Sequence, residues 1–238
     1  MIFLGKWTRD SLEDALRGSS SLYTAGERIL RLSSLLLGVA YKESTLIGDI
    51  DTPEVLVINL EEIDCVTFIE YVEAMRLSVS FQEFEKNLKM VRYRSGKVAF
   101  PARKHFFTDW IEFNKDLVDE VTGLIGGQKT VYIRKQLNVT EDGTSLVYGI
   151  QPFWREIAYI PSYAIDDALV DALQTGDYIG IYSGRPGLDV SHAGIFIVDG
   201  DKAWLRHASS VKEQRKVIDQ DFRSYMTAKP GIIVLRPK

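Results

Sequence analysis

Helix-patterned segments fill the first third of this 238-residue chain and strand-patterned segments its second half, an order that predicts an α+β fold. Two observations carry this expectation. Apolar residues recur at three- and four-residue intervals early in the chain, and they alternate with polar ones, punctuated by Gly, Asp and Pro, late in it. The composition, 45% hydrophobic, 26% charged and 11% aromatic, is that of a globular protein long enough to bury a sizeable core.

Taken in order, Ser11 to Gly38 places Leu12, Leu16, Ile29, Leu32 and Leu36 at near-helical spacing. The interruption "GSSSLYTAG" divides this stretch into two short helices joined by a turn. "PEVLVINL" reads as a strand or extended lead-in, after which Asp64 is placed as the N-cap of a helix with Val66, Ile69, Val72 and Leu77 along one side. "FQEFEKNLKMVRY" predicts another helix, "RSGKVAFPARK" a loop or short hairpin, and "HFFTDWIEFNKDLVDEV" a further helix. From there "KTVYIRKQLN", "REIAYIP", "TGDYIGIYSG", "SHAGIFIVDG", "KAWLRHASS" and "GIIVLRPK" predict an antiparallel meander, with the Cys65 helix laid on one face of it. No repeat or low-complexity linker interrupts the chain, so one elaborated domain is expected. Its parts are a helical segment 1–48, the Cys65 helix within 49–80, an insertion 81–150 and a sheet 151–238.

Charge and cysteine content narrow the function. The formal net charge of −4 provides no long-range positive field for nucleic acid or anionic membrane. The longest apolar run near the start, Leu35 to Tyr41, is far short of the roughly 20 residues of a membrane-spanning helix. "MIFLGKWTRDS" does not read as a secretory leader, so a cytoplasmic protein is expected as written, or a periplasmic one if a signal peptide has been removed. A single cysteine rules out an intramolecular disulfide framework and a Cys-based zinc cluster, and no metal or cofactor is called for.

That cysteine, Cys65, follows Asp64 in the first turn of its helix. There the unsatisfied N–H groups and the helix dipole favour negative charge, so the thiol pKa is expected to fall and the backbone amides to favour an oxyanion. Of only three histidines, His192 opens the strand "SHAGIFIV" and His207 closes the strand "AWLRH" fifteen residues later. A hairpin turning at "DGDK" brings those two strand ends close. A thiol, a histidine to take its proton and a polar group to orient that histidine are the set that nucleophilic catalysis needs. A lone cysteine before "VTFIEYV" equally fits core packing, and a lone histidine at a strand start equally fits a boundary position. The conjunction of three placements is what favours chemistry.

At these residues a resemblance becomes definite. "DCVTFIE", "TGDYIGIY", "SHAGIFIV" and "LRHASS", in that order, resemble the NlpC-type cysteine peptidases, a papain-like clan of bacterial cell-wall hydrolases. The acid tail of "DCVTFIE", the preceding "NLEEI", the insertion with "RYRSG" and "RKHFFTDW", and "HASS" are similar to its N-acetylmuramoyl-L-alanine amidase-like branch. The likeness runs from about Gly38 onward. Val66-Thr67 stands where the clan commonly has Ser-Gly, so the fit is to the branch rather than to the commonest members. The resemblance implies a papain-like core and a Cys65, His192, His207 triad that cleaves the amide between the lactyl group of an (anhydro)muramoyl sugar and L-alanine. Small soluble muropeptides are the expected substrates. An endopeptidase cutting within the stem peptide, an acyltransferase, or a binding module that keeps only the fold are the alternatives.

A muropeptide offers carboxylates and a sugar, which suit arginine forks and aromatic faces. Tyr93, Arg94, Arg103 and His105 in the insertion are therefore the expected substrate wall. Tyr182, Ser191 and Ser209 at the strand ends, and Asp64 beside the cysteine, complete the set. Each also has a plain structural reading: solvated loop, strand edge or, for Asp64, a helix cap worth about 1 kcal/mol.

Overall fold

The computed structural model describes all 238 residues and divides them into two compact units. The first comprises Met1–Arg103 and Arg206–Asp219, the second Lys104–Leu205 and Gln220–Lys238.

In the first unit, β1 (Ile2–Phe3) precedes the two expected short helices, α1 (Arg9–Ser20) and α2 (Ala25–Ser34). Thr8 and Thr24 each close a capping box, which is why both helices start where they do. β2 (Ala40–Tyr41), β3 (Ile58–Asn59) and β4 (Glu62–Ile63) are two-residue strands, β1 pairing with β3 and β2 with β4, both parallel. "PEVLVINL" is thus mostly extended lead-in. The helices α3 (Cys65–Arg76) and α4 (Phe81–Arg92) follow as expected.

Burial in α3 differs from a one-sided pattern: every residue from Thr67 to Arg76 is buried, among them Glu70, Glu73 and Arg76. Those charges survive because they are paired. Glu70 accepts from Arg92 Nε at 2.7 Å, and Glu73 takes both Nε and Nη2 of Arg76 at 2.8 and 2.6 Å. A buried ion left without its partner would be strongly destabilising. Leu12, Leu16, Ile29, Leu32, Phe68, Val72, Phe84 and Leu88, all essentially inaccessible, supply the unit's apolar core.

The second unit begins with α5 (Asp109–Phe113), shorter than the helix predicted over "HFFTDWIEFNKDLVDEV". Asn114 ends it, its amide still bonded back to Trp110 O, and the chain goes on into β5 (Val118–Glu120) because that strand pairs with the C-terminal one. After α6 (Thr122–Gly126), β6 (Val131–Leu137) and β7 (Phe153–Pro161) pair in antiparallel register, Val131 opposite Tyr159 and Leu137 opposite Phe153. α7 (Asp167–Ala172), β8 (Tyr178–Tyr182), β9 (Val190–Asp199), β10 (Lys202–Ala208) and β11 (Val217–Asp221) lead to α8 (Phe222–Met226) and β12 (Gly231–Pro237).

The sheet order is β11-β10-β9-β8-β12-β7-β6. This corrects the simple meander: β12 inserts between β8 and β7 instead of adding to an edge, which uses its unbroken apolar run Ile232–Leu235 on two buried faces. Ile160, Ile179, Ile181, Phe196, Leu205, Ile232 and Val234 form one core with Leu169, Phe222 and Met226 from the short helices. Asp177 accepts Gln174 N at 2.8 Å and a two-pronged ion pair from Arg236 at 2.8 and 2.7 Å, fastening β8 to β12. No helix is long and apolar enough to cross a membrane.

Candidate active site

Cys65 is the first residue of α3 and is half-buried. Asp64 caps the helix as expected, its Oδ1 accepting Val66 N at 3.0 Å, Thr67 N at 2.7 Å and the Thr67 hydroxyl at 2.8 Å, while Thr67 Oγ1 accepts Asp64 N at 2.9 Å. The cap decides what the helix end can offer. Two of its N–H groups are spent on Asp64, and the carboxylate offsets part of the positive end that would otherwise favour a thiolate.

Tyr41 lies within electrostatic range of that thiol, a neighbour that sequence spacing gave no means to find. β2 brings it there by pairing beside β4, Tyr41 opposite Ile63, two residues before Cys65. Burial pushes its phenol above the usual range, its coulombic coupling to Cys65, Glu43 and Asp64 pushes the same way, and Arg215, stacked 5.0 Å from the ring, opposes them.

His207 and Ser209 belong to the segment 206–219 that returns to the first unit. Arg206 fixes this segment: its guanidinium makes a two-pronged pair with Asp219 at 2.7 Å and donates to Leu30 O and the Ser33 hydroxyl at the end of α2. His207 is buried, at 2% exposure, and Ser209 is fully buried with its hydroxyl donated to Gln214 Oε1 at 2.6 Å. That bond commits Ser209 to shaping the turn after β10, so its expected contact with a ligand is replaced by a structural one.

Within the first unit Tyr93 and Arg103 come together, but around a third residue that the sequence reading passed over. Both bind the buried carboxylate of Glu54, Tyr93 through its hydroxyl at 2.7 Å and Arg103 through Nε at 3.0 Å and Nη2 at 2.5 Å. Tyr93 has no exposed surface, and burial followed by the Glu54 bond pushes its hydroxyl pKa up. The expected wall is here a brace. Tyr93 cannot touch a ligand, and Arg103 has its fork occupied; Arg94 is half-buried in the turn that follows.

The second unit holds His192 and His105. His192 lies opposite Ile181 in the β8–β9 ladder, and the register slips immediately beyond, Tyr182 facing Val190, so that Ser191 is a bulge residue. Cross-strand partners share a face, so His192 points to the side of Ile181, where the Tyr225 ring lies 6.4 Å away. Tyr182 points to the opposite side, stacked on Tyr159 at 3.8 Å. Tyr182 therefore does not share His192's side of the sheet, a correction that the one-residue step along β8 makes unavoidable. Ser191 is exposed beside His192.

His105 is half-buried on a loop tied to the same strand start. Three residues before His192, the buried Asp189 accepts the Thr108 amide at 2.7 Å and its hydroxyl at 2.8 Å on Oδ2, and the Val190 amide at 2.7 Å on Oδ1. Arg155 grips the loop from the other side through Thr108 O and Asp109 Oδ1, both at 2.8 Å. Phe107 lies over Gly180, where a Cβ would stand 2.7 Å from its ring. The only sequence signal for this strut was an aspartate directly before an apolar strand.

Asp189 leads to a stability prediction. Burial raises its pKa above the ordinary 3.8, with its hydrogen bonds opposing the rise. As pH falls through the raised value, the native chain takes up a proton that the unfolded chain takes up only near 3.8, so this group favours folding more at lower pH. Asp189→Asn places an N–H₂ against at least one of the three donors, at an expected cost of about 1–3 kcal/mol. Urea midpoints should show that loss at neutral pH. The gap to the parent should widen as pH is lowered and level off below the ordinary aspartate range.

Comparison with known proteins places this arrangement. A family model described as AmiA-like, N-acetylmuramoyl-L-alanine amidase-like, matches residues 31–232. An N-acetylmuramoyl-L-alanine amidase from Bacteroides uniformis, solved at 1.07 Å, is 30% identical over 90% of this chain and 99% of its own, with a TM-score of 0.74. A protein described as a suggested xylanase, from Bacteroides fragilis, is 27% identical over 86% of this chain and 98% of its own at a TM-score of 0.67. A Legionella pneumophila protein, 21% identical over 96% of this chain and 94% of its own, shares the fold at a TM-score of 0.80. No curated protein matches the sequence.

Proposed function

Because the chain belongs to the AmiA-like, N-acetylmuramoyl-L-alanine amidase-like family, we propose that it is a cysteine-dependent amidase acting on peptidoglycan fragments. Its bond is the amide between the lactyl group of an (anhydro)N-acetylmuramic acid and L-alanine. The observation that carries this reading is the placement of the single cysteine, half-buried at the first position of a capped helix inside the matched region. A half-buried thiol at a helix N-terminus stands in the kind of partly exposed, electropositive setting that reactive cysteines occupy, unlike one sealed in an apolar core.

In this mechanism His192 takes the proton of Cys65, and the thiolate adds to the lactyl carbonyl. Backbone N–H groups at the start of the cysteine helix serve the oxyanion, while those of Val66 and Thr67 are held by Asp64. Collapse expels the L-alanyl amine, protonated by His192, and leaves a thioester. Water, deprotonated by His192, then releases the carboxylate and restores the thiol. His207 is a positioning residue that holds the His192 imidazole in the required tautomer, and its burial suits that task more than contact with substrate.

Mass spectrometry after incubation with purified sacculi, soluble muropeptides and xylan tests the reading. Free stem peptide beginning with L-alanine, together with peptide-free muramoyl sugar, is the expected product. Cleavage between two amino acids with the lactyl-alanine bond whole would replace it with the endopeptidase reading. Transfer to an added amine without hydrolysis would replace it with an acyltransferase, and xylan breakdown would sink it.

A further inference from the structure

A cavity of about 610 Å³ lies in the second unit between the turn after β7 and the end of α8. Ser162, Tyr163 and Ile165 come from the turn, Arg223 and Met226 from α8, and Lys229 from the segment leading into β12. Its place relative to His192 follows from register. Ile160 pairs with Ile232, Ile232 with Ile181, and Ile181 with His192, a row across β7, β12, β8 and β9 whose side chains share one face. Three strand spacings put the two ends of this row about 14 Å apart. Ser162 lies two residues beyond Ile160, past the same end of the sheet. Tyr225 of α8 bridges the interval, 6.4 Å from the His192 ring and 4.7 Å below the Lys229 ammonium.

The lining has a definite chemistry. Two cations, Arg223 and Lys229, stand over an apolar floor of Ile165 and Met226. Arg223 also pairs with Asp167 at 2.5 Å, but that carboxylate is 92% exposed, and such a surface pair holds its partner weakly. The Ser162 hydroxyl is shielded from solvent and has no hydrogen-bond partner in the chain. An unmet buried hydroxyl costs stability unless something occupies it, and an acceptor between two cations would meet it.

We propose that this cavity is a subsite for a carboxylate of the substrate's peptide. An extended peptide advances about 3.3–3.6 Å per residue, and Lys229 lies no farther from the His192 ring than the two contacts of Tyr225 allow, so the subsite receives a group about three residues from the bond that His192 serves. The group is held by Arg223 and Lys229 and accepts from the Ser162 hydroxyl. The assignment of the ligand as a stem peptide rests on the amidase reading. The subsite selects by stem length and by charge: long anionic stems engage it, and dipeptide stems do not reach it.

Calorimetry on the full chain carrying Cys65→Ala tests this without turnover. The probes are a free L-alanyl stem tetrapeptide, the same peptide with its carboxylates converted to amides, and the corresponding dipeptide. Amidation, Lys229→Gln and Arg223→Gln should each weaken tetrapeptide binding about tenfold, as expected for loss of a hydrogen bond to a charged group. Dipeptide binding should be the same in parent and variants. Undiminished tetrapeptide binding in the Lys229→Gln, Arg223→Gln double variant would overturn the proposal, as would no binding to the parent at millimolar peptide. A failed hydrolysis assay beside carboxylate-dependent peptide binding would remove the amidase reading and leave the subsite standing.

Discussion

Cys65→Ala is expected to reduce amide hydrolysis by about 10⁴-fold or more, the loss typical when the nucleophile of a catalytic set is removed. The substitution shortens a half-buried side chain at a helix start and leaves the Asp64–Thr67 capping box intact, so the folded state should persist. Equal urea midpoints for parent and variant would show that the lost rate is chemical. Iodoacetamide offers a second readout. Because Asp64 offsets the helix end, the depressed thiol pKa is expected to depend mainly on an imidazolium partner, and alkylation below the ordinary thiol range of about 8.5 should fall back towards that of a free thiol in His192→Ala. Hydrolysis that survives in Cys65→Ala would sink the cysteine mechanism outright.

His192→Ala is expected to cost about 10³–10⁴-fold in kcat, because in the proposed mechanism one imidazole both takes the thiol proton and protonates the leaving amine. His207→Gln should cost less and leave measurable turnover, since an amide can still accept the orienting bond. The two also differ in what they disturb. His192 is half-exposed beside a bulge, whereas His207 is buried in the strand end that Arg206 clamps, so only the second should lower the melting temperature. Equal and total loss of activity in both, at unchanged stability, would show that the roles have been divided wrongly.

What the sequence disclosed, and what it hid, follows from the range of the interactions involved. Helix starts were legible because they are local: Thr24 with Glu27, and Asp64 with Thr67, specify their boundaries within four residues. The hairpin that carries both candidate histidines was legible for the same reason, since its turn, Gly200-Asp201, is written between the strands. The insertion of β12 was not legible. Its pairing with β7 spans some seventy residues, and nothing in "GIIVLRPK" distinguishes an edge strand from a central one apart from its unbroken apolar run. Two residues of the candidate substrate wall were hidden on similar grounds: Tyr93 and Arg103 look available until Glu54, about forty and fifty residues earlier, is folded against them. Asp189 and Thr108 likewise meet across 81 positions.

The placement of β12 and of the segment 206–219 sets the order in which the protein can be made. As the chain leaves the ribosome, β7 and β8 emerge long before the strand that belongs between them, and each must wait with an unpaired apolar edge. The first unit waits as well: Gly38, Val39 and Tyr41, which lead to the cysteine helix, find their backbone partners only at Arg215 and Val217, almost 180 residues later. Contacts of such sequence separation make folding slow and late. On the proposed mechanism, the thiol is therefore present through most of synthesis while the segment bearing His207 is still missing, and hydrolytic competence arrives only near its end.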